Sequence, residues 1–269
     1  MTWHQRPLTT LAFLWRVERR DGVAVGLTSH DRDLLREGLL YRASPGMTPS
    51  AVTRSDGVDG DDVTLAGALT GAAFSEEDLR AGRWDGAAVT VSAVDWADAA
   101  AEPIVLAEGT LGAVAVSEGR FEAALDGSGG RWERPVTETT TPMCRAELGD
   151  RRCRVALAGR RRRIVVADAT GDRLTLAPTL PDDGRYVEGS LRWLDGRNAG
   201  LGARVVGQAG ATLTLEDAPA LPVAVGDRAE LVEGCDKSFA TCRGRFGNAL
   251  NFRGEPHLPG NDLLVRHGQ

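Results

Sequence analysis

At 269 residues the chain has room for one large or two medium domains, each with an ordinary hydrophobic core. Its 33 glycines, 42% hydrophobic residues and only 5% aromatics suit short strands joined by tight turns better than long helices. A formal net charge of −6 gives no general attraction to nucleic acid or anionic membrane; no apolar run is long enough to span a bilayer, and neither a P-loop nor a dinucleotide-binding fingerprint occurs.

The opening "MTWHQRPLTTLAFLW" lacks the cationic start, clean apolar run and small-residue cleavage site of a secretory signal. Export is therefore not expected, and thiols kept reduced in a cytosolic setting more often bind metal or do redox chemistry than form structural disulfides. "LAFLWRVERRDGVAVGLTSHD" predicts a strand, an Asp-Gly turn and a second strand. His30, Asp31 and Asp33 in "SHDRDL" form a His-Asp grouping of the sort used by metal-dependent phosphohydrolases, but no second histidine cluster follows, which favours a polar structural loop. "VTLAGAL", "AAVTVSAVDW" and "PIVLAEGTLGAVAVSEGRFEAAL" continue the strand pattern. One helix is predicted among them in "FSEEDLRAGRW", with Ser75 as N-cap, Asp78 three residues later and Gly82 near its end.

Gly127, Gly129 and Gly130 in "LDGSGGRWERP" mark a joint, dividing a β-rich domain over residues 1–130 from a second domain over 131–269. "RPVTETTTPMCRAEL" is a further helical candidate, with Pro142 and four threonines arguing against it. Beyond it "RRRIVVADATGDRLTLAP" returns to strands, and "GDRLTL" (171–176) is echoed by "GDRAEL" (226–231) as two similar turns into strands. These features predict a small β-barrel over about 154–234. The run Arg160 to Arg163 reads as solvated or paired rather than as a phosphate site.

That barrel would lie between two pairs of cysteines, Cys144 with Cys153 and Cys235 with Cys242, and its ends would bring the pairs together. The fold class expected is thus mainly β, a β-rich domain followed by a four-cysteine metal-binding domain with an inserted barrel. The spacings, C-x8-C and C-x6-C, are wider than the two to four residues, roughly, that zinc knuckles and ribbons place between ligands on one tight turn. An iron–sulfur core held at separate corners tolerates longer loops. Cluster, zinc and four buried unliganded thiols all stay open on spacing alone. Arg145, Arg151, Arg152, Arg154, Arg243 and Arg245 flank the cysteines and would favour thiolates.

The segments "LTSHDRDL", "EEDLRAGRWDGAAVTVSAVDW", "CRAELGDRRC" and "GCDKSFATCRGRFGNALNFRGEPHLPG" resemble the hub (baseplate) proteins of gene transfer agents and related tailed phages, a likeness running over nearly the whole chain. The C-terminal part is similar in arrangement to the tail tip protein L of lambda-like phages, a family with an iron–sulfur cluster on cysteines. This resemblance implies a structural virion protein, not an enzyme. It implies a homotrimeric ring at the tip of a long non-contractile tail, between the distal tail protein ring and the tail tip or fibre proteins. Assembly would take place in the bacterial cytoplasm, without specific nucleic acid or membrane insertion. Matched residue by residue, it implies that Cys144, Cys153, Cys235 and Cys242 hold one iron–sulfur cluster, 4Fe-4S in type, with zinc as the alternative. Two other classes stay open. One is a zinc- or iron–sulfur-binding module outside a virion; the other is a cysteine-dependent hydrolase, for which Cys242 and His257 are the only pairing suggested. The final "NFRGEPHLPGND", stiffened by Pro256 and Pro259, is read as closing the cysteine domain in preference to docking a partner.

Overall fold

A computed structural model describes residues 10–43, 48–49, 63–68, 75–117, 120–127, 137–177 and 180–258. The chain divides into two compact units, Met1–Val136 and Thr137–Gln269. Residues 128–136, which include two of the three glycines of the expected joint, lie outside the described residues, as do residues 259–262 at the end of "NFRGEPHLPGND".

The first unit is one nine-stranded sheet. Its strands are β1 (Leu11–Glu18), β2 (Ala24–Thr28), β3 (Leu34–Arg36), β4 (Leu39–Ala43), β5 (Thr48–Pro49), β6 (Val63–Ala68), β7 (Ala88–Asp95), β8 (Ile104–Ser117) and β9 (Arg120–Gly127), in the order β3-β4-β2-β1-β7-β8-β9-β6-β5. The expected hairpin is β1–β2, with Glu18 opposite Ala24 and the turn closed by the Gly22 N–H donating to Arg19 O at 2.9 Å. Gly22 has φ +87, a conformation that costs glycine little. The parallel pairing of β2 with β4 is not expected from the pattern. It rests on Gly26, where a Cβ would strike the Tyr41 ring.

Alternation along β1 buries both faces of this sheet. Trp15 and Val17 join Leu27, Val89, Val91, Leu111 and Leu125 on one side, while Ala12 and Leu14 join Tyr41 and Val94 on the other. The predicted helix is α1 (Glu76–Arg80), whose N-cap Ser75 accepts a hydrogen bond from the Asp78 N–H at 3.0 Å. It adds Leu79 to the first cluster.

In the second unit, six strands form a closed antiparallel barrel: β10 (Arg161–Thr170), β11 (Arg173–Ala177), β12 (Gly189–Trp193), β13 (Gly202–Ala209), β14 (Thr212–Leu215) and β15 (Arg228–Val232). The barrel expected between the cysteine pairs is therefore present. Gly171 and Gly226, which open the two "GDR" turns, both have positive φ, and the strands they lead into, β11 and β15, flank β10 on either side. Ile164, Leu174, Leu191, Trp193, Val205, Leu213 and Leu231 fill the interior, each large apolar side chain contributing roughly 1.5–3 kcal/mol by its burial. Asn198, 1% exposed, ties a loop across the barrel end by donating to Leu221 O at 2.7 Å and accepting from the Leu221 N–H at 3.0 Å.

The helical candidate around Cys144 is corrected. Residues 137–146 contain no helix. Their main-chain groups are spent far along the chain: the Cys144 N–H donates to Lys237 O at 2.8 Å and the Arg145 N–H to Arg253 O at 2.9 Å. With Pro142 and the threonines already unfavourable to a helix, these long-range bonds win.

Candidate metal centre

β10 and β15 pair with Arg161 opposite Val232, so the chain entering the barrel and the chain leaving it run side by side. Cys153 lies shortly before the first strand and Cys235 shortly after the last. The segment 234–242 is then fixed residue by residue. A Cβ on Gly234 would overlap the main chain at Val187, Glu188 and Gly189, so only glycine lets the chain pass this close to the barrel. Lys237 takes φ +60. Asp236 accepts from the Ser238 N–H at 2.9 Å and the Thr241 hydroxyl at 2.8 Å. Ser238 in turn caps a short helix, α2 (Phe239–Gly244), accepting from the Thr241 N–H at 3.1 Å. This helix carries Cys242.

The first pair is held as closely. Asp150 accepts from the N–H groups of Cys153 at 2.6 Å, Arg152 at 2.8 Å and Glu147 at 3.0 Å, a loop cap that holds its carboxyl below the ordinary range, the Cys153 N–H being the chief cause. Lys237 reaches back from the second pair to donate to Ala146 O at 2.6 Å and to Glu147 at 2.9 Å.

All four cysteines are free thiols, Cys153 and Cys242 buried and Cys144 and Cys235 half-buried. Burial pushes the Cys242 thiol up, and the charges that Cys144, Cys235 and Cys153 would carry push it further. Cys235 is raised too, by burial first; the Lys237 N–H and ammonium oppose that, while Asp236 and Cys153 add to it. Hydrogen-bond donors point at the sulfurs: the Arg253 N–H lies 3.4 Å from Cys144 Sγ and Asn248 Nδ2 lies 3.7 Å from Cys153 Sγ. Among the described residues no group of three or more His, Cys, Asp or Glu side chains is close enough to hold a single metal ion.

The flanking arginines are largely committed elsewhere. Arg145 pairs with Glu255 at 2.8 Å and Glu138 at 3.0 Å, and Arg152 with Glu138 at 2.6 Å. Arg245 donates to Gly234 O and lies over the Phe246 ring. Within the basic run, Arg160 pairs with Glu233 at 2.7 Å and Arg161 with Glu230 at 3.0 Å. The other polar candidates have structural duties. The His30 ring lies 4.8 Å from the Trp96 ring and accepts from the Arg32 N–H, while Asp33 accepts from the Ala43 N–H. His257 packs on Phe239, and the Cys242 thiol donates instead to Asn248 O at 3.4 Å.

Described residues of "NFRGEPHL" close over the first pair. The Glu255 N–H donates to Thr141 O at 2.8 Å, its carboxylate accepts from the Thr141 N–H at 2.9 Å, and Gly254 abuts Met143 O so tightly that a Cβ would overlap it. Glu255 and Asn248 are contributors that sequence reasoning missed, since their partners lie about a hundred residues away. The hydrogen bond from Arg145, and then the Thr141 N–H, hold the Glu255 carboxyl down to about 2 from an ordinary 4.5. A depressed carboxylate stabilises the fold fully above its unfolded value, and that contribution is lost as pH falls through the folded one. Exchange protection at Thr141 and Arg145, corrected for intrinsic rates, should therefore drop from about pH 4.5 down to about 2. In Glu255→Gln that step should be absent; an unchanged step in the variant would assign it to another carboxylate.

Comparison with known proteins gives a consistent family. A family model described as "Baseplate hub protein, N-terminal attachment domain" matches residues 2–156, and one described as "Phage conserved hypothetical protein BR0599" matches residues 184–262. The first spans Cys144 and Cys153, the second Cys235 and Cys242. No curated protein matches the chain. Among solved structures, a chain of "Virion of native gene transfer agent (GTA) particle" is 38% identical, with a TM-score of 0.88 over 98% of this chain and 93% of that one. With more than half its length under the hub model and this likeness along almost all of it, the chain belongs to the baseplate hub protein family, and its role is structural rather than enzymatic.

Proposed function

We propose that the chain is the hub of a gene-transfer-agent-like tail, a homotrimeric ring at the tail tip that joins the distal tail protein ring to the tip or fibre proteins beyond. The observation that carries this reading is the 38% identity with a chain of the gene transfer agent virion over 98% of the length. Within it, Cys144, Cys153, Cys235 and Cys242 hold one iron–sulfur cluster of the four-iron type. Four free thiols on two segments whose backbones bond to each other, with N–H groups aimed at two of the sulfurs, are a donor set suited to it. A single zinc ion would need the sulfurs drawn in to about 2.3 Å from one centre. The long loops between the paired cysteines, eight and six residues, favour the cluster. When bound, such a group supplies a cross-link between segments distant in sequence.

Cryo-electron microscopy of intact particles tests the assembly: three copies at the tail tip are expected, and a ring of other symmetry, or a position away from the tip, would defeat the reading. Iron and acid-labile sulfide in anaerobically purified protein test the cofactor. Stoichiometric zinc without sulfide would replace the cluster by zinc.

A further inference from the structure

Asn248 stands at the N-cap of the 3-10 turn Ala249–Asn251, where an asparagine ordinarily turns its side chain onto the turn's own N–H groups. Here it makes no such bond. Its Nδ2 instead donates to Cys153 O at 2.6 Å, 95 residues away, and lies 3.7 Å from Cys153 Sγ. Its Oδ1 accepts from Asn251 Nδ2 at 2.7 Å. Because the Cys153 carbonyl can only accept, the amide orientation is fixed with its N–H groups toward Cys153. The main chain of the same residue belongs to the other cysteine pair. The Asn248 N–H donates to Cys242 O at 2.9 Å, and Asn248 O accepts from the Cys242 thiol at 3.4 Å. One residue thus grips Cys153 with its side chain and Cys242 with its backbone.

Building on the cluster reading above, we propose that Asn248 is a positioning residue: it sets the spacing of the two cysteine pairs before the cluster is assembled and donates an N–H to the Cys153 sulfur afterwards. Two physical arguments favour a residue in this place. The two cysteine pairs lie on segments far apart in the chain, so their spacing needs a residue bonded to both. A neutral amide can hold the pairs without adding charge, and its N–H stabilises sulfur more as sulfur becomes more negative. Neither task needs a cap on the following turn, which accounts for the side chain's departure from its ordinary bond.

The test uses the full-length chain as wild type, Asn248→Ala and the near-isosteric Asn248→Asp, with circular dichroism as the folding control; should alanine unfold, aspartate carries the result. In one arm the apo chain is treated with dibromobimane, which bridges only neighbouring thiols, and the bridged peptides are identified by mass spectrometry. A Cys153–Cys242 bridge is expected in wild type and severalfold less of it in both variants. In the other arm the reconstituted chains are challenged with an iron chelator and titrated electrochemically. Iron loss about ten- to a hundredfold faster is expected in the variants, the usual cost of removing an outer-sphere donor, with a lower reduction potential for the cluster retained by Asn248→Ala. Equal bridging in all three chains, or wild-type iron retention and potential in the variants, would overturn the proposal. A wild-type chain without iron or sulfide would instead overturn the cluster reading, and the bimane arm would still decide whether Asn248 positions the thiols.

Discussion

Cys235→Ser is expected to give protein without iron or sulfide whose second unit melts well below that of wild type, while the nine-stranded sheet of the first unit keeps its fold. The effect is large because Cys153 and Cys235 bracket the whole barrel. Tying such distant residues together removes loop-closure entropy from the unfolded chain, worth roughly 4–5 kcal/mol for a loop of this length in the chain-entropy account of cross-links. For a unit of this size that corresponds to roughly 10–20 °C in Tm. Serine leaves the fold's own contacts almost untouched, so the loss reports the cross-link and not packing. Calorimetry alongside metal and sulfide analysis decides it: a variant that melts with wild type while its iron is gone would show that the cluster carries no folding energy, and one that keeps both would remove Cys235 from the ligand set.

Gly234→Ala should also be destabilising, although it touches no sulfur. The added Cβ meets the main chain of Val187, Glu188 and Gly189, none of which can swing aside as a flexible side chain would. Gly189 itself abuts Val232 O and Tyr186 O, so the neighbour has nowhere to move. Overpacking of this kind costs about 1–3 kcal/mol, more where backbone must shift. Here the shift carries Cys235 with it, and a drop in iron content should accompany the loss of stability. Gly244→Ala is the matched control, because a Cβ there has no atom within 4 Å. Equal stability and iron in the two alanine variants would show that the segment can relax away from the barrel without harm.

Much of the fold was legible because its signals are local. Asp21 and Gly22 announce the first hairpin, Ser75 with Asp78 the helix, and the glycines of the two "GDR" turns the barrel strands beside β10. What escaped is held by distant partners. The strands β3 and β4 are short, and their parallel seam with β2 depends on a glycine facing a tyrosine ring rather than on any periodicity. Residues near Cys144 read as weakly helical until their N–H groups are seen bound to Lys237 and Arg253. Of the residues proposed to hold a cluster, the cysteines were evident by identity and spacing. Asn248 and Glu255 were not, since nothing beside them in the sequence distinguishes an amide or a carboxylate with a partner a hundred residues upstream from one facing water.

Because β10 and β15 seal the barrel against each other, the chain enters and leaves it through adjacent doors, about 4.8 Å apart as neighbouring strands are. To the cysteines, residues 161–232 amount to a spacer with a fixed, short end-to-end distance, whatever its contour length. Barrel turns away from the stretch 185–189, which holds Gly234, are therefore free to diverge or to take on other tasks. Segments 141–153 and 233–258 have no such liberty, since their backbones bond directly to one another. Lengthening the β13–β14 turn, far from that stretch in the chain, is the engineering form of this statement, and the four thiols should still find one another beside the altered barrel.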